Sequence, residues 1–250
     1  MCKSEPETAY EFLCQIKQDL KTKNRFYCDQ RFDQAIDLYS QEEFFTSYID
    51  AGSILYRARI YNQPDAEARY DIPPKGRFKG YNAKDSFVNL NYERIGEGRC
   101  NPSYIPYLYT AKSEKCCIYE VRPSKGAYVS VARIKTIEPL KILHFEYGTA
   151  LSTSGNMVLD GVINSLLFLY LANEFSQPHK EFGDYLLCQY VSERVKRLGF
   201  DGISYKSSVC PNAEKRKKTD NINVLIFNYE KCKAVSSKLY RVDEVNILYG

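Results

Sequence analysis

The chain has 250 residues, of which 44% are hydrophobic and 26% are charged, a composition that excludes a disordered or fibrous protein. The formal net charge of +4 at pH 7 is small for this length, and acidic and basic residues are interleaved along most of the chain. This distribution does not indicate a nucleic-acid-binding surface, but it is compatible with a local basic pocket for a small anion.

The nine cysteines are odd in number and include no C-x-x-C pair, and the histidines are His144 and His179 alone. This pattern favours free thiols in a reducing cytosol and does not favour a zinc site. No signal-peptide pattern opens the chain, and the most apolar stretch, Val162 to Ala172, is shorter than the roughly twenty residues that cross a bilayer. We therefore expect a cytoplasmic protein that needs no metal and no membrane.

The first fifty residues carry helical patterns. From Glu7 to Lys23 the apolar residues recur at the three-and-four spacing of a one-faced helix, and a second such run spans Phe32 to Tyr39. Ser40 and Glu43 form a capping-box pattern that predicts a short third helix, with Gly52 as its closing residue. This part of the chain is predicted to be a helical N-terminal extension.

An alternating segment follows, from Ile54 to Ile60, which predicts a strand. The alternation puts Arg57 and Arg59 together on the face opposite Tyr56. Two guanidinium groups on one strand face could hold phosphate or carboxylate oxygens, or they could simply face solvent.

A glycine-bracketed turn lies further along, in the polar stretch before residue 106. It spans Gly96 to Pro102, where Gly98 permits a close backbone approach and Arg99 supplies a positive charge. Such a turn could hold a phosphate, although the same residue types also mark an ordinary turn.

The next two predicted elements carry an aromatic residue and a carboxylate. Tyr107 to Ala111 reads as a strand that contains Tyr109, and a helix from about Ser113 contains Glu120 and must end before Pro123. An aromatic ring and a carboxylate on consecutive elements could flank a planar, cationic ring. A tyrosine on a strand is also typical of an ordinary core.

The remaining predicted elements mix strands and helices without a regular βαβ order, so we expect an α+β fold. They are strands at Ala127 to Ile134, Gly202 to Tyr205, Asn223 to Asn228 and Leu239 to Tyr249, and helices at Leu159 to Phe175 and Asp184 to Gly199. The basic run Lys215 to Lys218 lies between two of these strands, as a solvated loop or as a nucleic-acid contact.

The sequence does not contain the residue patterns that several kinds of catalytic site require. There is no G-x-S-x-G, neither histidine has a suggestive setting, and a cysteine nucleophile would need a nearby base. What remains is a site of arginine, aromatic, carboxylate and hydroxyl groups.

Taken in chain order, these segments resemble the RES domain family, which is named for an arginine, a glutamate and a serine. The resemblance is carried by Leu55–Arg57, Gly98–Pro102, Ile105–Ala111, Tyr119–Pro123, Asp201–Ser207 and Asn223–Phe227. It departs from the family at Cys100, where an aromatic residue is usual. It divides the chain into a helical N-terminal extension (residues 1–52) and a RES-like, NAD-binding catalytic domain (residues 53–250).

The resemblance implies a fold similar to that of ADP-ribosyltransferase toxins, with a mixed or antiparallel sheet and flanking helices. It also implies degradation of NAD within a bacterial toxin–antitoxin pair. Arg57, Glu120 and Ser207 match the three residues that name the family. Ser208 stands beside Ser207, so the serine assignment is open by one residue and Ser208 is expected among the NAD-binding residues.

Two further positions, Arg99 and Tyr109, match residues that line the family's NAD pocket, and Arg59 could assist Arg57. NAD has an anionic pyrophosphate and a cationic nicotinamide ring, so guanidinium groups would hold the phosphates and Tyr109 would stack on the ring. Glu120 would stabilise the charge that develops on the ribose. The serine would bond the nicotinamide amide or help to place Glu120.

We therefore expect an NAD glycohydrolase or an NAD phosphorylase, with NAD as substrate, inorganic phosphate as a possible second substrate, and no metal. One alternative is an ADP-ribosyltransferase that modifies a protein or a nucleic acid. A second alternative is not an enzyme: a non-catalytic protein that binds nucleic acid or another protein. The resemblance further implies a cognate antitoxin protein as partner.

Overall fold

The computed structural model describes residues 8–61, 80–88, 90–146, 161–177, 185–210 and 221–244. Within these ranges the chain forms five α-helices, eight strands and three short 3-10 turns. The helices are α1 (Ala9–Thr22), α2 (Gln30–Gln41), α3 (Glu114–Glu120), α4 (Gly161–Ser176) and α5 (Leu186–Arg197). The strands are β1 (Thr46–Ile49), β2 (Ile54–Tyr61), β3 (Leu108–Ala111), β4 (Tyr128–Thr136), β5 (Leu140–Phe145), β6 (Gly202–Lys206), β7 (Ile222–Ile226) and β8 (Cys232–Arg241).

Two compact units divide these elements between them. The helical unit comprises residues 1–48, 91–106 and 141–208, and the sheet unit comprises residues 49–90, 107–140 and 209–250. Each unit is therefore built from chain segments that are far apart in sequence.

The helical unit begins with a capped amphipathic helix. Thr8 Oγ1 accepts a hydrogen bond from the Glu11 main-chain N, and Glu11 Oε2 accepts one from the Thr8 main-chain N, both at 3.1 Å. This reciprocal pair satisfies two backbone donors that a helix start leaves open. The predicted apolar stripe is buried, from Ala9 to Leu20, so the sequence prediction of α1 is confirmed.

The N-terminal helices share a core with α4. The Tyr39 ring of α2 meets the Phe168 ring of α4 at 5.2 Å between centroids, and Tyr39 and Phe168 are both fully buried. On α1, Lys17 Nζ lies 3.0 Å from the Glu174 carboxylate of α4. Buried aromatic area and this ion pair together hold the helices in place.

The prediction of a third helix before Gly52 is wrong. Ser40 lies inside α2, and its Oγ donates to the Asp37 carbonyl at 2.6 Å instead of capping a new helix. Glu43–Phe45 forms one 3-10 turn, and Thr46–Ile49 is strand β1, whose β-branched and aromatic residues suit a strand. Gly52 has φ +89° and lies in the turn between β1 and β2.

The sheet unit has the strand order β7-β3-β2-β4-β8, and the pairs are antiparallel. β2 pairs with β4 along its whole length, so the predicted strand with Arg57 and Arg59 is confirmed. In the helical unit, β5 and β6 are parallel. Mixed strand pairing with flanking helices confirms the α+β class.

Two strands differ from the sequence prediction. β5 was not predicted, because its short apolar run is buried without a clear alternation. β8 begins at Cys232 and ends at Arg241, whereas the sequence predicted a strand from Leu239 to Tyr249. Residues 245–250 and the predicted helix starts at Leu159 and Asp184 lie outside the described residues.

None of the helices within the described ranges is both long enough and apolar enough to cross a membrane.

Gly80 offers a test of packing in the sheet unit. It has φ +67°, and an added Cβ would lie 2.9 Å from Leu239 Cδ1 and closer still to Ser130 Oγ. Gly80→Ala is expected to cost roughly 1 kcal/mol for the left-handed backbone and roughly 1–3 kcal/mol more for the steric overlap. The measurement is the free energy of unfolding from urea denaturation.

Gly126→Ala is the matched control, because Gly126 also has a positive φ, of +82°, but an added Cβ there meets nothing within 4 Å. If both variants lost the same free energy of unfolding, the proposed steric overlap of a Cβ at position 80 would be contradicted.

Candidate functional site

Arg57 is a half-buried cation at the junction of β2 and β3. The register pair between these strands joins Tyr56 to Ala111, and Arg57 Nη1 donates to the Tyr109 carbonyl at 3.0 Å. Its Nε is buried and has no hydrogen-bond partner among the described residues. A buried donor without a partner is costly, and an anionic ligand would remove that cost.

Burial, with a smaller contribution from the positive charge of Arg59, lowers the pKa of the Arg57 guanidinium to about 10. This value still leaves the group charged at neutral pH. Arg59 itself donates from Nη1 to the Asp85 carbonyl at 2.6 Å, so it is tied to the chain segment before residue 88.

Glu120 is the last residue of α3. This helix starts as expected, because Ser113 Oγ accepts from the Cys116 main-chain N at 3.1 Å. A carboxylate at the C-terminus of a helix faces the negative end of the helix dipole. A donor from β7 offsets this repulsion, since Asn223 Nδ2 donates to Glu120 Oε1 at 2.6 Å.

Asn223 is a functional candidate that the sequence analysis did not single out. It is 6% exposed, and its Oδ1 accepts a hydrogen bond from Cys116 Sγ at 3.5 Å. In the sequence, Asn223 begins Asn223–Phe227, the last segment that resembles the family. The sequence does not show that its hydrogen-bond partner is Glu120.

Tyr109 lies on the same sheet face as Asn223. The β3–β7 register pairs Tyr109 with Leu225 and Ala111 with Asn223. Tyr109 and Asn223 are therefore diagonal neighbours, about 7–8 Å apart by general strand geometry. The aromatic ring and the carboxylate held by Asn223 consequently belong to one face of the sheet unit, which Tyr56 shares because it is opposite Ala111. Arg57 and Arg59 alternate with Tyr56 along β2, so they lie on the other face.

In the helical unit, Arg99 is carried by a tightly bonded turn. Asn101 Nδ2 donates to the carbonyls of Gly96 and Pro102 at 3.1 and 3.0 Å, and Gln189 Nε2 of α5 donates to the Gly98 carbonyl at 2.9 Å. These bonds make the predicted Gly96–Pro102 turn an ordered structure.

The Arg99 side chain lies among helical-unit residues. Its Nη1 donates to the Phe175 carbonyl, and its guanidinium carbon lies 5.8 Å from the centre of the Tyr205 ring. The next residue, Cys100, is fully buried, which raises the pKa of its thiol to about 12. Where the family usually has an aromatic residue, this chain thus places a protonated, core-packed thiol.

The two adjacent serines after β6 differ in burial. Ser207 is 4% exposed, whereas Ser208 is exposed to solvent. Ser207, Ser208 and Arg99 belong to the helical unit, and Arg57, Arg59, Tyr109 and Glu120 belong to the sheet unit.

Two of the described cysteines, Cys28 and Cys117, do not resemble nucleophiles. Burial raises the pKa of the Cys28 and Cys117 thiols to about 12, so both are protonated at neutral pH. Across the residues that the structure describes, no three His, Cys, Asp or Glu side chains are grouped so as to hold a metal ion. His179 and the basic run Lys215 to Lys218 lie outside the described residues.

Comparison with protein-family models identifies one family. The sequence pattern that defines the RES domain family matches residues 69–246, a range that includes Arg99, Tyr109, Glu120 and Ser207 but not Arg57 or Arg59. No curated protein matches the sequence. Among solved structures, the M. tuberculosis MbcT–MbcA toxin–antitoxin complex is similar, with 15% identity, a TM-score of 0.47, and coverage of 85% of this chain and 93% of that one.

Proposed function

This chain belongs to the RES domain family, and on that premise we propose that it consumes NAD by cleaving the bond between nicotinamide and ribose. The observation that carries the proposal is the Glu120 carboxylate, which Asn223 holds on the sheet face shared with Tyr109. An anion and an aromatic ring on one face suit a substrate that has a cationic ring and develops positive charge as it reacts.

The chemistry assigns a role to each of these groups. As the bond to nicotinamide breaks, its electron pair leaves with the ring and positive charge develops on the ribose carbon. Glu120 stabilises this charge, and Tyr109 stacks on the nicotinamide. The same carboxylate can accept a proton from the attacking water or grip the ribose hydroxyls.

The pyrophosphate is assigned to the arginines. Arg57 is the first choice, because its buried Nε has no partner among the described residues and its charge persists at neutral pH. It leaves β2 on the sheet face opposite Tyr109 and reaches β3 at the Tyr109 carbonyl, so we propose that the pyrophosphate is held from that face. Arg99, on its bonded turn, is assigned a second phosphate contact, and Arg59 is assigned a supporting one.

Ser207 is assigned to the nicotinamide amide or to the placement of Glu120. Its burial favours it over the solvent-exposed Ser208, which we keep as a neighbouring residue without contact to NAD. A serine without an adjacent base is a poor nucleophile, so no covalent step is proposed.

The acceptor of the ADP-ribosyl group defines the reaction. In hydrolysis, water oxygen bonds to the ribose carbon and a proton is released; in phosphorolysis, a phosphate oxygen forms that bond instead. Nicotinamide release from NAD, measured with and without inorganic phosphate, separates these two reactions. Transfer of label from NAD to protein or nucleic acid would instead identify an ADP-ribosyltransferase.

We further propose that the protein acts in the cytoplasm as the toxin of a toxin–antitoxin pair, with a protein antitoxin as partner. The proposal of a toxin with an antitoxin partner rests on the resemblance to the RES domain family. Nucleic-acid binding without NAD turnover would favour a non-catalytic interaction protein instead. The division into an extension (residues 1–52) and a catalytic domain (residues 53–250) remains a prediction.

Glu120→Gln tests the carboxylate. The change keeps the size of the side chain but removes its charge, so we expect the kcat for nicotinamide release to fall about 100-fold or more. Glu138→Gln is the control, because Glu138 is exposed and also lies in the sheet unit. Equal turnover by Glu120→Gln and the wild type would reject the proposed function.

Arg57→Lys tests the pyrophosphate contact. Lysine keeps the positive charge but lacks the planar fork and the Nε donor, so the KM for NAD should rise about tenfold with a smaller change in kcat. Arg133→Lys, at an exposed position of β4, serves as the matched change and should leave KM unaltered. An unchanged KM in Arg57→Lys would remove Arg57 from the binding site.

The adjacent serines provide a matched pair. Ser207→Ala should reduce kcat/KM by about tenfold, the worth of one lost hydrogen bond to substrate or carboxylate. Ser208→Ala should retain wild-type kcat/KM, since its side chain is exposed. The reverse result would assign the family serine to Ser208.

A further inference from the structure

We propose that Asn223 is the positioning residue for Glu120, and that Cys116 sets the orientation of the Asn223 amide. The inference rests on the proposed NAD cleavage and concerns how the carboxylate is held in place for it. The observation is a chain of two side-chain hydrogen bonds, from Cys116 Sγ to Asn223 Oδ1 at 3.5 Å and from Asn223 Nδ2 to Glu120 Oε1 at 2.6 Å.

The two ends of this chain are four residues apart on α3. Residues at that spacing lie on one face of a helix, so Cys116 and Glu120 face the same strand. Asn223, on β7, lies between them and contacts both. One asparagine is thereby clamped by two positions of a single helix.

Both contacts demand the same orientation of the amide. A thiol donates weakly, so it pairs with the amide oxygen, whereas a carboxylate only accepts, so it pairs with the amide nitrogen. Rotating the amide by half a turn would break the bond to Glu120 and would turn the amide N–H toward the thiol sulfur, which is only a weak acceptor. When Asn223 Oδ1 faces Cys116, Asn223 Nδ2 therefore faces Glu120 and donates to it.

The strand that carries Asn223 is itself held in register. Asn223 is opposite Ala111 on β3, and the Lys112 main-chain N donates to the Ile222 carbonyl at 2.9 Å. Thr110 Oγ1 donates to the Val224 carbonyl at 2.7 Å. These bonds on both sides of Asn223 prevent β7 from sliding, so the amide is a fixed point from which the carboxylate is placed.

A glutamate at the end of a short helix needs such a fixed point. Its side chain has several rotatable bonds, and Glu120 is half-buried at the negative end of the helix dipole. A charge-assisted bond to a buried amide restricts Oε1 and offsets the repulsion. Asn223 thus restricts the carboxylate to one direction.

The decisive variant is Asn223→Asp, which keeps the shape of the side chain but replaces the donor with a second carboxylate. Two carboxylates in contact share a proton, because both cannot ionise at that distance. We expect kcat at neutral pH to fall at least tenfold with KM nearly unchanged, and the acidic limb of the pH profile to move to higher pH.

Asn228→Asp is the matched control, because it makes the same change at an exposed position just after β7. Its pH profile should be that of the wild type. Asn223→Ala should lower kcat, since it removes the donor, and should move the acidic limb less than Asn223→Asp does, because it adds no charge. A merely structural role of Asn223 would lower stability without the shift that Asn223→Asp produces.

The Cys116 contact is tested by rescue. Cys116→Ser retains a donor for Asn223 Oδ1 and should keep near wild-type kcat, whereas Cys116→Ala loses the donor and should lower kcat several-fold. Thermal unfolding of both variants separates this effect from lost packing. Equal kcat in Cys116→Ser and Cys116→Ala would remove Cys116 from the proposal.

Titration of the Glu120 carboxylate itself separates this inference from the proposed function. Protein labelled with carbon-13 glutamate is titrated by NMR, and the Glu120 signal is assigned by its loss in Glu120→Gln. The signal should titrate at higher pH in Asn223→Asp than in the wild type or Asn228→Asp. An unshifted titration overturns the positioning role, whereas a wild type that releases no nicotinamide overturns the proposed function alone.

Discussion

Strand β3 is only four residues long, yet it must pair with β2 on one edge and with β7 on the other. This constraint places Arg57, Tyr109, Glu120 and Asn223 in the sheet unit. The edge toward β2 brings the Tyr109 carbonyl to the Arg57 guanidinium, and the edge toward β7 sets Asn223 opposite Ala111. Because α3 begins three residues after β3, its last residue, Glu120, is carried back over the same strands.

The candidate site is electrostatically costly to maintain in the fold. A half-buried guanidinium keeps its charge with one main-chain acceptor among the described residues, and a carboxylate lies at the unfavourable end of a helix. Groups that are poor for stability but suited to a substrate with an anionic and a cationic end are typical of functional sites.

The residue types of the site could be read from the sequence, because the chemistry of NAD calls for guanidinium, aromatic, carboxylate and hydroxyl groups. Their positions could not be derived from composition in a chain with 22 tyrosines and 35 lysines and arginines, and only the ordered family resemblance selected them. Asn223 was missed as a site residue because its partners are 103 and 107 residues away in the chain. No local pattern encodes a contact over that separation.

The sequence by itself determined α1, α2, α3 and β2, since their caps and their three-and-four or two-residue periodicities depend on near neighbours alone. Tertiary structure alone decided that Thr46–Ile49 is a strand, that the last strand starts at Cys232, and that Ser207 is buried whereas Ser208 is exposed. Strand pairing and burial depend on residues distant in sequence, whose cooperation outweighs local preference. The same long-range pairing decided which donor faces Glu120.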